Sequence, residues 1–199
     1  MNLEKANKIK EELDRPSTNL LEGKKDLVIC EIGTQYGINA KSILERFDIK
    51  TFYLIDPYVP YSGIGEEYIS GKNWKEVKKF AKEYLKEYND KIVWVEKFSW
   101  DAINDIPDNL DFIYIDGEHT EEAVTKDIEL YYPKVKIGGI FAGHDFEISE
   151  MFLDKNEVFN VVSRAPGVAK AVFTFFLLNT DLVLNCGGVW DWWTIKVQM

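Results

Sequence analysis

The chain contains two histidines, and both stand where a run of apolar residues gives way to acid. His119 lies in "FIYIDGEHTEE", three residues after Asp116; His144 lies in "GGIFAGHDF", directly before Asp145. A carboxylate that can hold a cation beside a neutral ring that can take a proton is a pairing suited to activating a hydroxyl. The matched placing of the two histidines suggests one shared site. The plainer alternative is that Asp116 and His119 help to cap a helix that Thr120 opens, and that His144 makes only a hydrogen bond.

Three more groups sit at comparable points. In "CEIGTQYGINA", Glu31 precedes Gly33 and Gly37, which bracket a tight turn into a helix. Glycine there lets backbone approach a ligand closely, and the helix start offers free N–H groups. An ordinary turn in which the glycines relieve crowding would read the same way. Asp56 closes "TFYLID" roughly 20 residues on, the spacing at which a carboxylate accepts the hydroxyls of a ribose. No basic residue adjoins it to receive a 2′-phosphate, although Asp56-Pro57 could equally begin a turn. Phe98 and Ser99 follow a third apolar run.

The elements that would position these residues alternate. Residues 3–14 read as an amphipathic helix stopped before Pro16. Buried strands are expected in "LVICEIG", "TFYLIDPY", "KIVWVEKF", "DFIYID" and "IGGIFAGHDF", with helices between them: one from Ile38, one over 73–88, a short one capped by Ser99, and one opened by Thr120. Residues 146–165 are compatible with helix or loop. "GVAKAVFTFFLL" reads as a helix, and "DLVLNC" and "VWDWWTIKV" as two strands turning at Gly187-Gly188. Such alternation implies βαβ units, hence an α/β fold with a largely parallel sheet, helices on both faces and an antiparallel hairpin at its end. Ligands of open α/β sheets bind at the carboxyl ends of the strands, where every residue named above stands. Asp127 and Glu122, in mid-helix, read as solvated or structural. Trp190, Trp192 and Trp193 read as core packing.

Composition sets outer bounds. The 199 residues suit a single domain, and 46% hydrophobic with 14% aromatic content excludes a disordered chain. A net charge of −10 argues against nucleic acid or an anionic membrane as partner. The lysine-rich stretch "KNWKEVKKFAKEYLKE" carries glutamates at helical spacing and reads as a solvated face. Cys30 and Cys186 lie in apolar runs without metal-type spacing, which suggests buried free thiols. No segment reads as a signal peptide or a membrane span, so a cytoplasmic protein is expected.

Taken in order, "ExGxxxG", an acid closing strand two, "DGxH" closing strand four and "GGxxxxxD" through strand five resemble the class I S-adenosylmethionine-dependent methyltransferases, and within them the small-molecule O-methyltransferases with a DGxH motif. The likeness runs from residue 27 to 197. It implies a Rossmann-like doubly wound sheet of seven strands in one domain spanning 1–199. It further implies that Glu31 and Gly33 line the methionine portion of the cofactor, that Gly37 permits the turn, that Asp56 binds the ribose, and that Phe98 and Ser99 lie near the adenine. By the same likeness Asp116, His144 and Asp145 would hold a divalent metal, and His119 would act as general base. Metal-dependent members carry two oxygen ligands at the end of strand five. An imidazole at His144 suits manganese, zinc or iron better than magnesium, or else Asp116 and Asp145 hold the metal with water. By its own tyrosines and glycines the stretch 57–72 suits a lid over the acceptor or, alternatively, a disordered surface loop, and the N-terminal helix (1–16) could form a second wall. The implied partner is a small-molecule acceptor, with a neutral or cationic one suiting the acidic surface, and a homodimer is left open. An NAD-dependent oxidoreductase would share the first two motifs, but "GTQYGI" lacks the middle glycine that close pyrophosphate approach requires. A non-catalytic nucleoside-cofactor-binding protein would have no use for Asp116, His119 and Asp145.

Overall fold

In a computed structural model, residues 1–60, 73–153 and 159–198 are described. Helices α1 (Leu3–Glu11) and α2 (Pro16–Asn19) precede strand β1 (Leu27–Ile32). There follow α3 (Ile38–Arg46), β2 (Ile49–Ile55), α4 (Trp74–Tyr84), β3 (Ile92–Val95), α5 (Ser99–Ala102), β4 (Leu110–Ile115), α6 (Glu121–Tyr131) and β5 (Val135–Gly143). The chain then forms β6 (Glu150–Leu153), β7 (Phe159–Val162), α7 (Pro166–Leu178), β8 (Asn185–Gly187) and β9 (Asp191–Ile195).

Seven strands make one sheet in the order β3-β2-β1-β4-β5-β9-β8. The pairings from β3 through β5 are parallel, and β9 and β8 close the edge antiparallel. The expected doubly wound sheet with its terminal hairpin is therefore present. Side chains alternate between faces, as strand geometry requires. Cys30, Ile113, Ile115 and Phe141 enter a core with α6 and α7, whereas Ile29, Phe112, Tyr114, Ile140 and Ala142 enter another with α1 and α3. Both faces are thus covered, which is why the parallel strands read as unbroken apolar runs.

Strand register sets the site. Ile32 pairs with Ile55 and with Ile115, and Ile115 pairs with Gly143, so four strands end level. The next residues, Gly33, Asp56, Asp116 and His144, leave the sheet side by side. One more hydrogen bond fixes each: Gly33 N to Ile55 O (2.9 Å), Asp116 N to Ile32 O (2.8 Å), His144 N to Ile115 O (3.0 Å) and Asp56 N to Val95 O (3.2 Å). The order of strands reverses at β1 and β4, the point where such sheets open a crevice.

Several local expectations are corrected. Within 146–165, where helix or loop is expected, Glu150–Leu153 and Phe159–Val162 pair as antiparallel strands and 146–149 and 163–165 are loop, because "FNVV" finds a partner strand that short apolar runs do not announce. The first helix stops at Glu11 and the helix expected over 73–88 ends at Tyr84, with a 3₁₀ turn at Lys86–Tyr88. Phe98, not Ser99, is the N-cap of α5; Ser99 is its first helical residue. "DLVLNC" contributes strand only from Asn185, and the turn falls at 188–190. Cys30 is buried but Cys186 is exposed, since β8 is a three-residue edge strand with one side open. Residues 61–72 of the expected lid lie outside the described residues.

Candidate functional site

The level strand ends open into a pocket of about 360 Å³. Glu31, Gly33, Asp56, Phe98, Ser99, Asp116, His119 and His144 all line it; Gly37 and Asp145 do not. Gly37 is the left-handed N-cap of α3 (φ +73°), and a side chain there would strike Leu85, so its place is in the turn and not on the ligand side. Gly33 is more constrained. Its φ is +92°, and a Cβ would stand 1.9 Å from the Asp116 carbonyl oxygen. Only glycine lets the turn after β1 lie against the one after β4.

At one end of the pocket, two carboxyl groups are buried and held by neutral N–H donors. Both oxygens of Asp56 accept backbone N–H groups, Oδ2 from Gln35 and Oδ1 from Tyr58, each at 2.8 Å. Glu31 is 2% exposed; Asn39 donates to Oε1 at 2.7 Å, and Oε2 has no partner. Burial pushes the Glu31 carboxyl up to about 8, against the lowering effect of Asn39. Phe98 stacks on Trp100 with centroids 4.8 Å apart, giving the pocket a flat aromatic wall.

Asp127 is not solvated, the first of the two readings given to it. It is 2% exposed on α6, lines the pocket, and has Oδ1 unpartnered. Burial raises its carboxyl to about 7, with the Ser99 side chain opposing. A helix aspartate whose neighbours at i−4, i−3 and i+4, Ala123, Val124 and Tyr131, are all buried could have been read as buried from helical spacing alone.

At the other end, imidazoles and carboxylates meet. Asp145 Oδ2 lies 3.1 Å from His119 Nε2 and 3.2 Å from His144 Nδ1, and Asp116 Oδ1 lies 3.7 Å from His144 Nδ1 and 4.0 Å from His119 Nε2. Asp145 reaches both rings because its backbone is left-handed (φ +60°) directly after β5, a conformation that aspartate tolerates better than most residues. His144 Nε2 lies 2.8 Å from the Val189 carbonyl, which can only accept, so Nε2 carries hydrogen. In the neutral ring Nδ1 then presents its lone pair to the two carboxylates, as metal-binding histidines are oriented. Burial opposes charge on His144, but its contacts with Asp116 and Asp145 outweigh this and raise it to about 10. The cluster thus calls for one positive charge between its carboxylates, supplied by a proton or by a cation. Ligand atoms of Asp116, His144 and Asp145 lie within 4.8 Å of one another, close enough to share an ion.

Packing fixes the His119 loop. Gly167, at the start of α7, has no room for a Cβ, which would come 2.3 Å from the His119 carbonyl oxygen. Trp192 is fully buried and Trp193 packs on the core, whereas Trp190 stands 6.2 Å from His144 with Arg164 over its ring at 4.5 Å. Among the described residues no helix is long and apolar enough to cross a membrane.

Comparison with known proteins adds a family. An uncharacterized protein, R132, of Acanthamoeba polyphaga mimivirus is 26% identical over 129 residues, 62% of this chain, and the chain spans only 53% of that relative's length. The O-methyltransferase NovP superposes with a TM-score of 0.65 at 13% identity, covering 99% of this chain and 81% of its own. An O-methyltransferase from Bacillus cereus in complex with SAH superposes with a TM-score of 0.60 at 14% identity, covering 98% and 90%. At these identities the two structures establish a common fold. The family described as a methyltransferase domain matches residues 30–146, more than half of the chain and all of the strand ends described above. By that match the chain belongs to the methyltransferase-domain family.

Proposed function

We propose that the protein is an S-adenosylmethionine-dependent methyltransferase acting on a hydroxyl of a small molecule, with a divalent cation at its acidic cluster. The observation that carries this reading is the junction of two unlike regions in one crevice: a buried pocket with acids at the ends of β1 and β2, and an imidazole–carboxylate cluster at the ends of β4 and β5. The pocket fits the cofactor on its own features, since Glu31 and Asp127 hold unpartnered oxygens inside it and the glycine turn at Gly33 forms part of its lining.

S-adenosylmethionine supplies a methyl group on a sulfonium centre, open to in-line attack by an oxygen nucleophile. Asp56 is placed for the ribose hydroxyls, Phe98 and Ser99 for the base, and Glu31 for the amino-acid end. Asp116, His144 and Asp145 would hold the cation, which would supply Lewis-acid chemistry; their mixed nitrogen and oxygen set favours manganese, zinc or iron over magnesium. His119 works beside it. With Nε2–H donated to Asp145, the neutral ring carries its lone pair on Nδ1, and that atom takes the proton of the acceptor hydroxyl. Its side chain is 35% accessible, so an acceptor can reach it. Positioning and proton removal are most of what an in-line displacement asks of an enzyme.

Calorimetry with S-adenosylmethionine, S-adenosylhomocysteine and NAD, with and without manganese, tests the reading. Binding of both adenosyl compounds and none of NAD is expected. Tight binding of NAD, or silence toward both adenosyl compounds, would overturn it.

A further inference from the structure

Arg15 is the one lysine or arginine among the described residues that line the pocket. It belongs to the segment between α1 and α2, which the sequence offers only as a wall. Its Nε is buried without a partner, and its one hydrogen bond is a long contact from Nη1 to the neighbouring Asp14 carbonyl at 3.3 Å. No carboxylate among the described residues pairs with it, although it lies near enough to Glu31, Asp145 and Asp191 to influence their ionisation. A guanidinium surrounded by acids yet bonded to none of them is arranged for a ligand.

The segment is held in place from behind. Ser17 N donates to Asp191 Oδ2 and Tyr114 Oη donates to Asp191 Oδ1, both at 2.8 Å and both buried. The Arg15 carbonyl accepts from Thr18 N at 3.0 Å and from Thr18 Oγ1 at 2.7 Å. The backbone of Arg15 is therefore tied to β4 and β9 through a buried carboxylate, so the guanidinium is presented by a fixed support.

Glu31 is the complement. Its Oε2 is buried, unpartnered and in the same pocket, and it does not pair with Arg15. An acid and a base that face one cavity, each with an unused buried atom and no bond between them, match a ligand with both charges on one carbon. We propose that Arg15 binds the α-carboxylate of the cofactor while Glu31 Oε2 accepts from its ammonium, so that the pair selects an amino-acid zwitterion. This rests on the cofactor reading above, and it assigns a residue outside every strand-end motif.

Three probes separate the charges: S-adenosylhomocysteine, its decarboxylated analogue, which keeps the amine, and 5′-methylthioadenosine, which has neither group. Wild-type protein should prefer S-adenosylhomocysteine to the decarboxylated analogue by about tenfold to a hundredfold, the range of a charge-assisted bidentate contact. Arg15→Gln should remove that preference, weakening S-adenosylhomocysteine by about that factor while leaving the decarboxylated analogue within about twofold. Glu31→Gln should weaken both amine-bearing ligands and spare 5′-methylthioadenosine. Arg15→Lys, which keeps the charge but not the fork, should recover part of the loss. Equal weakening of the first two ligands by Arg15→Gln, unchanged affinity for S-adenosylhomocysteine, or a wild-type protein without preference would overturn the proposal. The wild-type comparison needs no variant to fold. A wild-type protein that binds no adenosyl compound would instead sink the cofactor reading itself.

Discussion

The two ends of the crevice are built on opposite principles. At the β1–β2 end, carboxyl groups are buried and held by neutral donors: Asp56 by two backbone N–H groups, and Glu31 by one side-chain amide in a nearly closed space. At the β4–β5 end, charge is half-exposed and held by other charges, with Asp145 bridging two imidazoles. The first arrangement suits recognition of an invariant ligand, because βα turns repeat the same geometry whatever their side chains. The second suits chemistry, where protons must move and a varied acceptor must enter. Damage at the two ends should therefore separate binding from turnover.

The largest effect expected is on turnover alone. His119→Ala should lower methyl transfer to a panel of hydroxylated small molecules by about 10²–10⁴-fold, while calorimetric affinity for S-adenosylhomocysteine stays within about twofold. Loss of cofactor affinity instead would make His119 part of the binding end and erase the distinction.

Next comes the point where both ends touch. Gly33→Ala puts a Cβ against the Asp116 carbonyl in a left-handed backbone. A loss of stability of about 3 kcal/mol or more is expected in denaturant unfolding. A variant that unfolds like wild type would mean that the two turns separate easily.

Asp56→Asn should show the converse of the histidine variant. Affinity for S-adenosylhomocysteine should fall by about tenfold to a hundredfold, the range for hydrogen bonds to a charged group, and turnover at saturating cofactor should change far less. A matching fall in saturated turnover would place Asp56 in the chemistry.

The smallest effect is on the ligand-free protein's response to pH. Glu31 in the fold holds its proton to about 8, from an ordinary value of 4.5. Below that ordinary value both folded and unfolded chains are protonated, and the group contributes nothing. Between the two values the unfolded chain has released the proton and the folded one has not, so stability falls as pH rises. Glu31→Gln removes this slope. Its advantage over wild type should be absent at pH 4, grow as pH rises from about 4.5 to 8, and level off above pH 8, as read by thermal or chemical unfolding. A constant difference at all pH values would mean that Glu31 ionises normally.

Much of this was legible in the residues. Glu31, Gly33, Asp56, Asp116 and His144 could be named because each follows an apolar run, and a buried strand has few ways to end. Asp127 was legible as buried from helical spacing but not as a pocket residue, because the cavity it faces depends on where α6 lies on the sheet. Arg15 was missed for a related reason. It belongs to no strand end, and only the bond between Ser17 and Asp191, 174 residues apart, brings its segment to the pocket. The hairpin of β6 and β7 stayed ambiguous because a short apolar run pairs or coils according to its neighbours.

The amino-acid sequence by itself determined the alternation of elements, the parallel sheet and the set of polar residues that close its strands, since these follow from local period and from burial on two faces. Only the tertiary structure decided that four strands end level, that Asp145 turns back to meet both histidines, and that Arg15 and Glu31 share a cavity without pairing. Register and long-range hydrogen bonds set those relations. They are properties of pairs of segments, and no single segment carries them.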